Sequence, residues 1–180
     1  MDGDDRRLID FLVALGVDGI AHTSKTYLGH LVAVYRLMQR QGCDEELARA
    51  GLFHSIYGTE RFQGFTLPLE RRNEVRDLIG PRAERLAYLN CLMDRSSLDR
   101  ALDGTEPYVI RTRTGEEYSL TRDECDDLCR VHLYDWLEQV PRSRFGWDYR
   151  REAYRRMAER LGGRAQELYA EVFAQEPVAG

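Results

Sequence analysis

The stretch Ala50-Gly51-Leu52-Phe53-His54-Ser55-Ile56-Tyr57-Gly58-Thr59-Glu60 constrains this chain more than any other. It reads as a buried apolar helix end that delivers a histidine into a polar turn. His30 lies 24 residues earlier, on a segment that is itself helical in pattern. Two helices joined by a short connection at that separation can point both imidazoles into one cavity. The fold expected from this is helical, with a polar site between helices.

The apolar spacing elsewhere agrees. Leu8, Ile9, Leu12, Val13 and Leu15 form a helical stripe over Arg6 to Leu15, ended by Gly16. A long helix follows from about Lys25 to Arg40, with Thr23 or Ser24 as its cap, and Gly42 stops it. Asp44 caps the next helix, which is expected to run to His54, and 58–68 reads as a loop. Helices over Leu69 to Ile79 and Arg82 to Met93 flank the stop-and-restart signal Gly80-Pro81. A short helix is predicted over Ser96 to Leu102. Tyr108 to Leu120 alternates as a β-hairpin with Thr114-Gly115 at its turn. Thr121 and Glu124 form a capping-box pattern ahead of a helix to Val140. A last helix over about Asp148 to Phe173 is interrupted at Gly162-Gly163, and the tail from Gln175 is expected to fray. The expected architecture is all-α: one domain over residues 1–180, with its core over about 23–140 and a single inserted hairpin.

Composition narrows the function classes. The net charge is −5 and no basic block breaks the mixed-sign pattern, which argues against a nucleic-acid partner. No apolar run approaches the roughly 18 residues that span a bilayer. The acidic, polar N-terminus lacks the basic region of a signal peptide, so a cytoplasmic protein is expected. Cys43, Cys91, Cys125 and Cys129 are unevenly spaced and read as reduced thiols.

Chemistry concentrates on the four histidines, His22, His30, His54 and His132. His132 stands three residues before Asp135, on roughly the same helix face. His30, His54 and Asp135 together offer two imidazoles and a carboxylate from separate elements, a set suited to a divalent transition metal such as iron, manganese or zinc. Lys25, Tyr57 and Arg61 cluster around the histidine-bearing segments and suit an anionic ligand. Cys125, Cys129 and His132 fall on one face but lack a fourth ligand, and read as packed thiols. Asp94 and Arg95 follow the apolar Leu89-to-Met93 run and could face the cavity, but a helix-end salt bridge is the favoured reading.

The pattern resembles the HD-domain superfamily, helical metal-dependent phosphohydrolases whose ligands are a His, a His-Asp pair and a later Asp. His30, His54-Ser55 and Asp135 match these positions, with Ser55 where the superfamily has aspartate. More closely, Ala50 to Glu60 and Ile79-Gly80 with Ala83-Glu84-Arg85-Leu86-Ala87-Tyr88 are similar to an uncharacterised HD-like family of bacteria and plants. That family shares the His-Ser pair. The resemblance covers about Thr23 to Glu138. It implies an HD-like helical bundle and a metal-dependent hydrolase of a phosphorylated or otherwise anionic small molecule.

Serine is a poor ligand and cannot take the charge role of aspartate. Either His22 or Glu60 completes the shell or acts as acid–base, or the site holds no metal; Glu60 is equally open to a salt bridge with Arg61 or Arg71. An iron-dependent oxygenase and a metal-free binding protein are the rival expectations. The hairpin and the last helix are left to cover the pocket or to form a homodimer contact, and periodicity does not choose between them.

Overall fold

A computed structural model describes residues 3–22 and 25–177. It is built almost wholly of helices, as the apolar spacing predicts. α1 (Gly3–Ala14) leads through a short 3-10 turn into a two-residue strand, β1 (Ala21–His22), which pairs antiparallel with β2 (Lys25–Thr26). This small sheet has no signature in the sequence. The predicted caps Thr23 and Ser24 lie outside the described residues, and it is Thr26 whose hydroxyl accepts from the Gly29 amide to start α2 (Tyr27–Arg40).

Asp44 caps α3 (Glu45–Leu52), as expected, accepting from the Leu47 amide at 2.9 Å. The helix stops at Leu52, so His54 sits in the turn that follows rather than on the helix itself. A 3-10 turn at Leu69–Arg71 precedes α4 (Arg72–Ile79), and α5 (Pro81–Leu92) begins directly at the proline. After α6 (Arg95–Ala101) come β3 (Tyr108–Arg111) and β4 (Glu117–Leu120), paired from Tyr108–Leu120 to Arg111–Glu117. The hairpin connection is wider than two residues, since the Thr112 amide still donates to the Glu116 carbonyl.

α7 (Arg122–Gln139) opens with the full capping box of Thr121 and Glu124. The last predicted helix is two helices, α8 (Arg151–Leu161) and α9 (Gly163–Phe173), parted at Gly162, whose φ of 61° is a left-handed conformation that only glycine adopts cheaply. The tail beyond Pro177 lies outside the described residues.

The centre of the assembly is α7. It packs against α2, α3, α5, α8 and α9, and Leu128, Val131, Leu133 and Trp136 bury their side chains among them. α2 and α3 approach closely where Gly51 faces Met38: a Cβ on Gly51 would lie 2.2 Å from the Met38 sulfur. The thiols of Cys91, Cys125 and Cys129 are buried, Cys43 is half-buried, and all four are free, as expected. No described helix is long and apolar enough to cross a membrane.

Candidate metal centre

Three buried side chains from three separate elements meet at one point. His30 comes from α2, His54 from the turn after α3, and Asp135 from the inner face of α7. His30 Nε2 lies 3.0 Å from Asp135 Oδ1, His54 Nε2 lies 3.2 Å from the same oxygen, and the two Nε2 atoms are 3.3 Å apart.

The outer nitrogens fix how the rings are turned. His54 Nδ1 donates to the Gly51 carbonyl at 2.8 Å, and a carbonyl can only accept. His30 Nδ1 donates to Glu138 Oε2 at 2.7 Å. Each ring therefore turns Nε2 inward, toward the Asp135 carboxylate. Three acceptors in mutual contact repel unless a positive charge stands among them. Burial alone would raise the Asp135 carboxyl, but His54 and His30 hold it well below the usual carboxylate range. Burial likewise opposes charge on His30, yet the bonds to Asp135 and Glu138 push its pKa up to about 9. The site favours a cation.

These separations fit a metal ion. Donor atoms bound to one ion at about 2.1 Å, at angles between octahedral and tetrahedral, stand about 3.0–3.4 Å apart. The outer-nitrogen bonds to a carboxylate and a backbone carbonyl are also what metal-ligating histidines need, because they fix the tautomer and orient the ring. Glu138, one turn beyond Asp135, supplies the first of these and was not singled out in the sequence. It also accepts from Lys25 at 2.7 Å and pairs with Arg142.

A second layer holds the backbone of His54. Asn90 Nδ2 donates to its carbonyl at 2.8 Å and the Cys91 thiol does so at 3.2 Å. The Asn90 amide is oriented in turn by His132 Nδ1 at 3.0 Å. His132 Nε2 accepts from Arg150 at 2.7 Å, which requires a neutral ring. Burial and the neighbouring Arg150 push the His132 pKa well below its ordinary value. Despite its spacing from Asp135, then, His132 supports the site from behind and does not join the ligands.

The remaining predicted residues divide. Arg61 lines a cavity of about 380 Å³ that also contains His30, His54, Ser55 and Asp135. Lys25 and Tyr57 do not line it: Lys25 is held by Glu138, and Tyr57 donates to Glu84 at 3.0 Å. Glu60 accepts from the Arg95 amide at 3.2 Å and pairs with Arg61 at 3.7 Å, and it is not among the residues that meet at the cluster. His22 lies in β1 with its side chain outside the described residues. Ser55 is within hydrogen-bond distance of the Tyr27 hydroxyl, 3.0 Å away. The cavity wall opposite the expectation comes from the segment between α7 and α8, which contributes Arg142, Ser143, Arg144, Phe145 and Tyr149, and from Tyr154 of α8. The hairpin contributes nothing to it.

Fold and site define a helical protein with a buried two-histidine, one-carboxylate cluster able to hold a metal ion. One family profile, described as Domain of unknown function (DUF6817), matches residues 11–95, a stretch that carries His30 and His54 but ends before Asp135. No curated protein and no solved structure matches the chain.

Proposed function

We propose that this protein is a metal-dependent hydrolase of the HD-like kind, acting on a phosphorylated or otherwise anionic small molecule. The observation that carries the reading is the meeting of His30 Nε2, His54 Nε2 and Asp135 Oδ1 with their outer hydrogen bonds already made. A divalent ion held there would lower the pKa of a bound water toward neutrality and polarise a phosphoryl oxygen. His30, His54 and Asp135 would hold the ion at the cavity, where arginines and aromatic rings could hold a substrate beside it. Ser55 takes no charge role at that site, and its hydroxyl instead meets that of Tyr27. Asn90 and Cys91 both engage the His54 carbonyl, so α5 supplies no second set of ligands and the site is read as mononuclear.

The test is the metal content of untagged protein purified without chelator, for wild type and His54→Ala, followed by phosphate release from a panel of phosphate esters. Near-stoichiometric iron, manganese or zinc in the wild type, lost together with hydrolysis in the variant, is the expected result. Iron with oxygen consumption and no hydrolysis would replace this reading by an oxygenase. No metal in either protein after reconstitution would leave a metal-free binding scaffold.

A further inference from the structure

Among the described residues, four buried side-chain nitrogens have no hydrogen-bond acceptor: Arg95 Nε, Trp136 Nε1, Arg142 Nε and Arg160 Nη2. The first three belong to residues that line the cavity beside the metal cluster. Buried donors are satisfied as a rule, so three orphans around one cavity call for a cause. All are donors, and what the cavity wall lacks is acceptors.

Arg95 is the sharpest case. It is only 9% exposed, yet among the described residues it forms no ion pair; its guanidinium donates from Nη1 to the Tyr149 hydroxyl at 2.9 Å. The carboxylates around it are committed elsewhere. Asp94 caps α6 through the Ser96 amide, Glu60 takes the Arg95 backbone amide, and Asp99 is paired with Arg150. The expected Asp94–Arg95 salt bridge does not form. Burying a guanidinium without a counter-charge is costly, and sites that bind anions meet that cost when the ligand arrives.

The charge balance of the cavity points the same way. Arg61, Arg95, Arg142 and Arg144 line it against Asp135 alone; Arg142 is paired at close range with Glu138 and Arg61 more loosely with Glu60 at 3.7 Å, while among the described residues Arg95 and Arg144 form no ion pair. Arg61 donates to the same Tyr149 hydroxyl as Arg95, at 3.3 Å, so the tyrosine holds two cations side by side. The excess positive charge matches a dianion better than a single carboxylate.

We propose that this wall is a phosphoryl-binding subsite, in which the Arg95 guanidinium and the Trp136 indole N–H donate to the oxygens of a phosphate group, with Arg61 assisting from the more exposed side. It deepens the hydrolase reading and rests on it for the identity of the bound group as substrate. The subsite itself stands on the protein's own donors, without the metal.

The experiment is calorimetric titration of inorganic phosphate into chelator-treated full-length protein, with acetate at equal ionic strength as control. Saturable binding of phosphate by the wild type is expected, weakened about tenfold or more in Arg95→Gln, in line with loss of a charge-assisted hydrogen bond. Metal uptake by the variant on reloading should match wild type. Should near-ultraviolet circular dichroism show Arg95→Gln to be unfolded, Trp136→Phe decides, since it removes the indole donor while keeping an aromatic ring beside Tyr149 and Tyr154, and should weaken phosphate binding severalfold. Absence of phosphate binding by the wild type, equal affinity in the folded variants, or acetate binding as well as phosphate would each overturn the subsite. Phosphate binding by a protein that takes up no metal would uphold it and sink the hydrolase instead.

Discussion

At the scale of single residues, the site depends on groups that never touch the metal position. Glu138 aligns His30 by accepting from Nδ1, and replacing it with glutamine keeps the shape but removes the charge that stiffens that bond. Losses of outer-shell partners of this kind commonly reduce metal affinity about 10–100-fold. We expect Glu138→Gln to fold normally and to weaken manganese or zinc affinity within that range, measured by competition with a chromophoric chelator. Unchanged affinity would mean that Glu138 serves only its bonds to Lys25 and Arg142. His132 gives a second prediction, with a definite sign. Its folded-state pKa is pushed well below the ordinary 6.5 by burial first and by Arg150 next. Below about pH 6.5 the unfolded chain therefore binds a proton that the folded chain refuses, and stability falls as the pH falls. Urea midpoints of wild type between pH 7.5 and 5 should drop more steeply than those of His132→Gln, the difference approaching one proton, or about 1.4 kcal/mol per pH unit. Parallel slopes would show that the ring is protonated in the folded state. His30, His54 and Asp135 could be picked out of the sequence because histidine is scarce and the helical spacing was clear. Glu138 could not, because a carboxylate one turn along a charged helix looks the same whether it meets solvent or an imidazole on another helix. For Arg95 the sequence left two readings, the cavity or a helix-end salt bridge, and the cavity holds it because Asp94, the N-cap of α6, turns its carboxylate to the Ser96 amide.

At the scale of elements, helix termini were legible wherever a side chain or a turn residue marks them. Asp44, Thr121 with Glu124, and Gly80-Pro81 each act locally, and each stands where the sequence put it. What failed was context. The β1–β2 pair is two residues long on each side, too short to leave a periodicity, whereas the break in the last helix stands at Gly162, where the glycine pair marks it and φ is positive. The segment between α7 and α8 lines the cavity without any regular pattern that could announce it. The α2–α3 contact is the element-scale feature most exposed to test. A methyl on Gly51 would run into the Met38 sulfur and touch the Val34 side chain at 3.4 Å, so the Met38 side chain must swing aside or the two helices part. Overpacking of this kind typically costs about 1–3 kcal/mol. Because the Gly51 carbonyl also receives His54 Nδ1, Gly51→Ala should lose stability by that amount and weaken metal binding at the same time. Denaturation and metal titration on the same sample check it. A destabilised variant with wild-type metal affinity would show that the turn after α3 holds His54 independently of the helix contact.

At the scale of the whole molecule, the three ligands come from positions 30, 54 and 135, so any ion they share ties α2, the end of α3 and α7 together at one point. α7 is the helix on which most of the others pack, which makes the cluster part of the structural centre as well as of the cavity. An ion that binds only the folded state adds RT ln(1 + [M]/Kd) to stability, about 2.7 kcal/mol when the ion stands at a hundred times its dissociation constant. For a chain of this size each kcal/mol moves the melting temperature by about 2–4 °C. Chelation of metal-loaded wild type should therefore lower Tm by about 5–10 °C, with recovery on adding back manganese or zinc. His54→Ala should melt at the same temperature with and without the ion, because it lacks one of the three ligands. A wild type indifferent to chelator would break the link between the cluster and the packing, and the convergence of two imidazoles on a buried carboxylate would then have to be held by protons alone.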